Sequence, residues 1–314
     1  MSSLKILKQR ISSIRATQKI TKAMQLVSAA KLKKVKDTLE HSRQYAKTVE
    51  DIFNIIVSES RKTGRYSAAL DQILHFDNNT PNLLIIFGSE RGLCGSFNAY
   101  ILRKFLHKLK ELESMNQETK VIVIGNKACE ILKNKIPDNI VNTYSSIKDI
   151  NKSSEEIAEY ILQNYNPFKC FLCFNYFKNN LLQVPVIENL FQYEKIPYFG
   201  YLNPSFKIKN SQDNINPNSA NQQNFSAEQM QYDIEGETLE ESIIYKHAYA
   251  KLKSILTSSK VSEEAIRMMS MDGATKNANK IIDNLSLQFN RQRQSMITTE
   301  LIEIIAGAET LNKQ

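Results

Sequence analysis

The residues of this chain best suited to chemistry are a glycine-rich run, GSERGLCGSFN (Gly88–Asn98), together with four cysteines and four histidines. A glycine-rich turn directly after an apolar strand is where phosphate-binding loops sit, because small residues let backbone N–H groups approach an anion. The glycines here are Gly88, Gly92 and Gly95, which fit neither GxGxxG nor GxxxxGK[ST], and no acidic residue ends a second strand to hold a ribose. The expectation is therefore a tight strand-to-helix turn. Cys170 and Cys173 have the CxxC spacing of redox and zinc sites, but they lie inside the apolar run KCFLCFNYF and not at a helix start, so they read as core. Cys94 and Cys129 complete the set, and so few cysteines without a secretory segment suit a reduced compartment. His41, His75, His107 and His247 form no metal-spaced cluster and flank no candidate nucleophile. No catalytic constellation is visible, and no cofactor, metal or direct small-molecule substrate is expected.

The elements that carry these residues follow βαβ grammar. NLLIIFG (residues 82–88) and KVIVIG (residues 120–125) are short apolar runs, each followed by a helix-like segment, Asn98–Glu113 and Asn126–Lys135. A helical stretch over 154–164, a buried strand Lys169–Phe177 and a hairpin or edge strand within Leu181–Leu190 complete a sheet of three to five strands. From Asn203 to Gln231 the chain is rich in Asn, Gln and Ser and reads as a disordered surface insertion.

Outside that middle the punctuation stops. The first 63 residues hold neither Gly nor Pro, and the last 78 hold only Gly273 and Gly307. Two helices of about 95 Å and about 115 Å are predicted, too long to fold into a compact domain. In the first, Leu4, Leu7, Ile11 and Ile14 form a heptad seam that slips through Arg15–Lys19 and resumes around Ile20, Met24 and Val27. It then runs through Val35, Leu39, Ser42, Ala46, Val49, Phe53 and Ile56. In the second, acids at Glu240 and Glu241 suit a first turn, and Met268, Met271, Thr275, Ala278, Ile282, Leu285, Phe289, Gln292, Met296 and Thr299 alternate in the same way. An antiparallel pair is expected. The shorter helix covers the longer to about residue 300, which leaves roughly 15 residues overhanging, among them Leu301, Ile302, Ile304, Ile305 and Leu311, with nothing in the chain to bury them. The fold class is thus α/β: a long antiparallel coiled coil built from residues 1–63 and 237–314, with a small Rossmann-like α/β domain over 64–236 between them.

Composition leaves the partner open. A net charge of +8 and a pI near 9.1 favour an acidic partner, and no stretch is apolar enough to span a membrane. Residues 1–36 carry eight Lys, two Arg and no acid. That composition also fits a transit peptide, yet the helical pattern runs on to Ser60 without a processing boundary. Two further readings stay in play, a basic coiled-coil arm that binds nucleic acid and a nucleotide-binding α/β enzyme with a helical arm. The first lacks aromatics in residues 1–36 and has few arginines there.

Three separated stretches resemble one family. TQKITKAMQLVSAAKLKK (Thr17–Lys34), SERGLCGSFN (Ser89–Asn98) and ITTELIEIIAGAE (Ile297–Glu309) are similar to the gamma subunit of F-type ATP synthases, with Ile297, Thr298, Glu300, Glu303, Gly307 and Ala308 meeting the family's C-terminal signature. The resemblance implies a non-catalytic rotor shaft of a proton-translocating ATP synthase. Its coiled coil would pass through a ring of alpha and beta subunits, and its α/β domain would stand near the epsilon subunit and the membrane c-ring, without nucleic acid. It also implies that Met24, Arg267, Arg293, Gln294, Thr298, Glu300 and Glu303 couple the shaft to the ring, and that Tyr232 and Asp233 belong to the foot on the membrane ring. Because the resemblance starts near residue 17, little room is left for a presequence. A peripheral subunit on the cytoplasmic side of a bacterial inner membrane is therefore expected.

Overall fold

The computed structural model describes residues 2–63, 81–145, 147, 149–180, 182–191 and 237–311. Tyr232, Asp233 and the polar insertion at 203–231 lie outside the described residues. Among the described residues two long helices, α1 (Ser2–Thr63) and α5 (Glu237–Leu311), bracket five strands and three shorter α-helices. In chain order these are β1 (Asn82–Phe87), α2 (Phe97–Ser114), β2 (Thr119–Ile124), α3 (Asn126–Lys133), β3 (Ile140–Tyr144), α4 (Ile150–Asn164), β4 (Cys170–Phe177) and β5 (Gln183–Asn189).

The described strands form one sheet in the order β3-β2-β1-β4-β5, with β5 antiparallel to β4 and the other pairings parallel. Strand order reverses between β1 and β4, the switch point where doubly wound sheets leave a crevice at the C-terminal strand ends. β1 is buried at every residue, as a central parallel strand covered on both faces must be. Leu84, Ile86, Val121, Val123 and Cys173 pack one face against α2 and α3. Leu83, Ile85, Phe87, Leu172 and Phe174 pack the other against α4 and the two long helices. β5 is the hairpin edge strand, and it tolerates Pro185 because an edge can spare a ladder donor. β3 was not foreseen in the sequence: IVNTY is half-buried at the opposite edge, so it lacks the apolar run that marks its neighbours.

α1 and α5 pair antiparallel from Ser60–Glu240 through Gln25–Asp272 to Gln18–Asn279. Continued at that register, the start of α1 falls opposite about residue 296. The unpaired end of α5 is thus slightly longer than helix lengths alone suggest. Within it Ile297, Leu301, Ile302, Ile304 and Ile305 are all exposed, Ile304 at 67%.

The expected slip of the α1 seam does not occur. The seam passes without interruption through Ile11, Ile14, Gln18, Thr21, Gln25, Ser28, Leu32 and Val35, all buried or half-buried, whereas Ile20 and Val27 face outward at 61% and 51% exposure. Following apolar side chains led to the wrong face because in this stretch the seam is polar. Thr21 Oγ1 lies 2.8 Å from Thr275 Oγ1, Gln25 Nε2 donates to Asp272 Oδ1 at 2.9 Å, and Gln18 Nε2 donates to Asn279 Oδ1 at 2.6 Å.

Candidate functional site

The crevice at the switch point is where this fold would hold a ligand, and α5 fills it. Helix α5 lies across the C-terminal ends of β1 and β4. There Ser259 Oγ donates to Phe87 O at 3.3 Å, Ser262 Oγ donates to Asn175 O at 3.0 Å, and Ser258 Oγ accepts from Phe177 N at 3.2 Å. The cavity left beside Gly88, Gly125, Lys260 and Glu263 measures about 30 Å³, on the scale of one water and far below a nucleotide.

The glycine-rich turn is satisfied in the same way. The N–H of Ser89 donates to Asn98 Oδ1 at 3.0 Å, and those of Glu90 and Arg91 each reach one oxygen of the Glu263 carboxylate at 3.4 Å. Three successive amides that could cradle a phosphate are thereby engaged by the protein's own side chains, and Glu263 stands where the anion would be. Gly95 adopts φ +53, and a Cβ there would lie 2.5 Å from Ser270 Oγ on α5, so glycine lets the turn approach the helix. Leu93 holds a left-handed φ of 61, a conformation costing an ordinary side chain about 1–2 kcal/mol, which contacts around the turn must offset.

Around Glu263 three cations and three carboxylates interlock. Arg267 pairs with Glu263 and, at 2.8 Å, with Glu264, while its Nε and Nη2 donate to Gly92 O at 3.2 Å and Arg91 O at 3.3 Å. Arg91 returns to Glu264 at 2.7 Å, and Lys260 pairs with Glu90 at 3.2 Å. Burial alone would lower the Arg267 pKa, but Glu263 and Glu264 outweigh it and leave the guanidinium above its ordinary value. A charge so enclosed is retained because two carboxylates and two carbonyls face it directly.

The residues singled out in the sequence are therefore dispersed. Arg267 is 1% exposed and presents no surface, which corrects the expectation that it forms an outward contact: its donors are divided between the turn carbonyls and the carboxylates of Glu263 and Glu264. Met24 is half-buried beside the polar seam. Arg293, Gln294, Thr298, Glu300 and Glu303 are exposed on the outer stretch of α5, and Thr298 Oγ1 donates back to Gln294 O at 3.0 Å. Cys170 and Cys173 belong to opposite faces of the sheet, and burial pushes the Cys173 thiol up to about 12, so the pair is two separate core residues. Among the described residues no three His, Cys, Asp or Glu side chains come together as a metal site, and no helix is long and apolar enough to cross a membrane.

Glu263, Glu264, Lys260 and Arg91 were missed in the sequence. A signal was available: KVSEEAIR sets Glu263 and Glu264 four and three residues before Arg267, in a helical stretch otherwise buried.

Comparison with known proteins gives a consistent result. A family model described as ATP synthase matches residues 3–311. The ATP synthase gamma chain of Rickettsia prowazekii (strain Madrid E) is 37% identical over 319 residues, covering 99% of this chain and 100% of that one. The gamma chain of Rickettsia typhi (strain ATCC VR-144 / Wilmington) is 35% identical over 316 residues with the same coverage. Among solved structures, the fold is similar to a chain of the Euglena gracilis mitochondrial ATP synthase OSCP/F1/c-ring assembly in rotational state 3, at a TM-score of 0.61 and 17% identity over 99% of this chain and 95% of that one. It is also similar to a chain of the Tetrahymena thermophila mitochondrial ATP synthase central stalk and c-ring, at a TM-score of 0.52 and 21% identity over 81% of this chain and 99% of that one.

Proposed function

The chain belongs to the ATP synthase gamma-chain family, and from that premise we infer that it is the central stalk of an F-type ATP synthase, a non-catalytic subunit of the complex. The observation that carries the reading is a match over essentially the whole chain that includes the exposed outer stretch of α5, where Leu301, Ile302, Ile304 and Ile305 have no cover of their own. The nucleic-acid-arm and nucleotide-enzyme readings fall with this assignment, and the filled crevice agrees.

As the rotor shaft, the helical pair enters the ring of alpha and beta subunits with its outer half, and the α/β base, on which its inner half packs, stands toward the epsilon subunit and the c-ring. A single asymmetric rod in a ring of alternating subunits offers a different face to each catalytic site, so the affinity of each site depends on rotor angle; that dependence is a coupling free energy. The chain thereby links hydrogen-ion transport to ATP synthesis as a peripheral component on the cytoplasmic side of a bacterial inner membrane. Met24, Arg293, Gln294, Thr298, Glu300 and Glu303 are the ring contacts in this reading, and Tyr232 and Asp233 are the foot on the c-ring. Arg267 instead works from inside, between base and shaft.

Coexpression with the ring subunits tests the reading. The chain should copurify as one copy with three alpha and three beta subunits, and failure to copurify sinks the assignment. Removing residues 306–314 should reduce ATP-driven ion pumping while the α/β base keeps its thermal transition. Undiminished pumping by the truncated complex would remove the tip from the mechanism.

A further inference from the structure

Torque must pass between the α/β base and the helical pair, and besides the hydrogen bonds of Ser258, Ser259 and Ser262 to the strand ends the structure offers two kinds of contact for it. One is apolar: Val49, Phe53, Ile56, Val57, Ile244, Leu252 and Leu256 pack on the sheet face, which resists separation but is non-directional. The other is the charge network around the glycine-rich turn, which is directional and lies where the pair leaves the base. Beyond Ser270, which meets Gly95, helix α5 bonds to α1 through Asp272, Thr275 and Asn279. Among the described residues the turn is thus the outermost point at which the base grips the shaft.

Within that grip Glu263 is the hub. It faces the turn's two amides with one oxygen each, and Arg267 clamps it from the same helix. Arg267 in turn holds the carbonyls of Arg91 and Gly92, so donors and acceptors of a single turn are both tied to one rung of α5. We propose that Glu263 is a positioning residue for torque transfer: its carboxylate, seated in the amides of Glu90 and Arg91, fixes the angle at which the shaft leaves the α/β base. The proposal rests on the rotor-shaft reading above. Two amides and a guanidinium aimed at one carboxylate define an azimuth, as apolar packing does not. A neutral amide at this position would keep the volume, lose the charge-assisted bonds and leave Arg267 to Glu264 alone.

The test uses the assembled complex in vesicles, comparing ATP hydrolysis with ATP-driven proton pumping. In Glu263→Gln the complex should assemble with normal stoichiometry and hydrolyse ATP near the normal rate, while protons pumped per ATP fall by about fivefold or more. Glu263→Asp, which keeps the charge, should recover part of the loss. If the ratio is unchanged, or if pumping and hydrolysis fall in proportion with complex yield, Glu263 only stabilises the fold and the proposal is overturned. Should Glu263→Gln fail to assemble, Lys260→Met removes the half-exposed pair to Glu90 instead and should lower the same ratio less steeply; an unchanged ratio there is equally fatal. A wild-type chain that assembles and pumps, beside a variant with an unchanged ratio, would defeat the clasp while leaving the rotor reading intact.

Discussion

The inner and outer halves of the helical pair have the same backbone and opposite chemistry. In the inner half, against the sheet, the seam is Leu39, Val49, Phe53, Ile56, Ile244, Leu252 and Leu256, all buried. In the outer half the seam turns polar at Gln18, Thr21, Gln25 and Ser28, and apolar side chains stand outside it at Ile20, Leu26, Val27, Ile281 and Leu287. Apolar surface stabilises a fold only when it leaves water. The inner half is therefore complete within the chain, and the outer half, on the rotor reading proposed above, is completed by a sleeve of ring subunits. The two halves meet at the Glu263 clasp, which lets a self-sufficient base hold a shaft whose packing is supplied from outside.

The sharpest way to break this comparison is to truncate one large apolar side chain in each half. Phe53 lies edge-on to Phe191, with ring centroids 5.2 Å apart, and stacks on His247 at 4.8 Å. Phe53→Ala should lower the unfolding free energy of the isolated chain by about 3–5 kcal/mol in urea titrations. Leu301→Ala should change it by less than about 0.5 kcal/mol, because more than half of the residue's surface is already in water. Similar losses in the two variants would mean that the outer half also packs on its own chain.

A subtler probe concerns a base packed tightly enough to strip water from an ionisable group. His247 is buried between Phe53 and Phe191, and its Nδ1 has no hydrogen-bond partner among the described residues. Burial, with a smaller push from Lys251, lowers its pKa to about 3. The sign follows from where the proton goes. Above about pH 6.5 the histidine is neutral whether the chain is folded or not, and it contributes nothing. From there down to about 3 the unfolded chain takes a proton that the folded chain refuses, so stability falls as pH falls. Between pH 7 and pH 5 the loss should be about 2 kcal/mol, read as a drop in urea midpoint. In His247→Phe this part of the pH dependence should vanish without a penalty at pH 7. A slope that survives the substitution would place the titrating group elsewhere.

What could be read from the sequence divides along the same line. The inner half was legible: apolar runs gave β1, β2 and β4, and the spacing from Val35 to Ile56 gave the seam. The outer half misled because the rule that apolar residues mark a seam assumes that burial comes from within the chain. Ile20 and Val27 are apolar yet face outward, away from the seam. The glycine-rich turn shows the other limit. Its glycines looked like ligand chemistry in βαβ grammar, whereas Gly95 serves a close approach by α5 from 175 residues along the chain, at Ser270. The resemblance placed Arg267 among the shaft's outward contacts; only packing shows that its guanidinium is enclosed by Glu263 and Glu264.

The smallest expected effect separates the polar seam's role from its stability. Thr21 and Thr275 face each other through their hydroxyls, and each also has a carbonyl of its own helix within reach, Gln18 O at 3.0 Å and Met271 O at 2.7 Å. Replacing both with valine removes a matched pair and leaves no stranded partner, an exchange that is close to neutral or mildly stabilising. Thr21→Val with Thr275→Val should therefore leave the urea midpoint of the isolated chain unchanged or raise it by the equivalent of about 0.5–1 kcal/mol. The seam's hydrogen bonds then act on register: each links one residue of α1 to one of α5, whereas valine can slide among equivalent holes. Hydrogen exchange over residues 18–28 would report such slipping as weaker protection in the double variant at undiminished global stability. A loss above about 1 kcal/mol would show that the outer seam stabilises the pair on its own account, and the contrast between a self-sufficient base and a borrowed sleeve would have to be redrawn at Gln18.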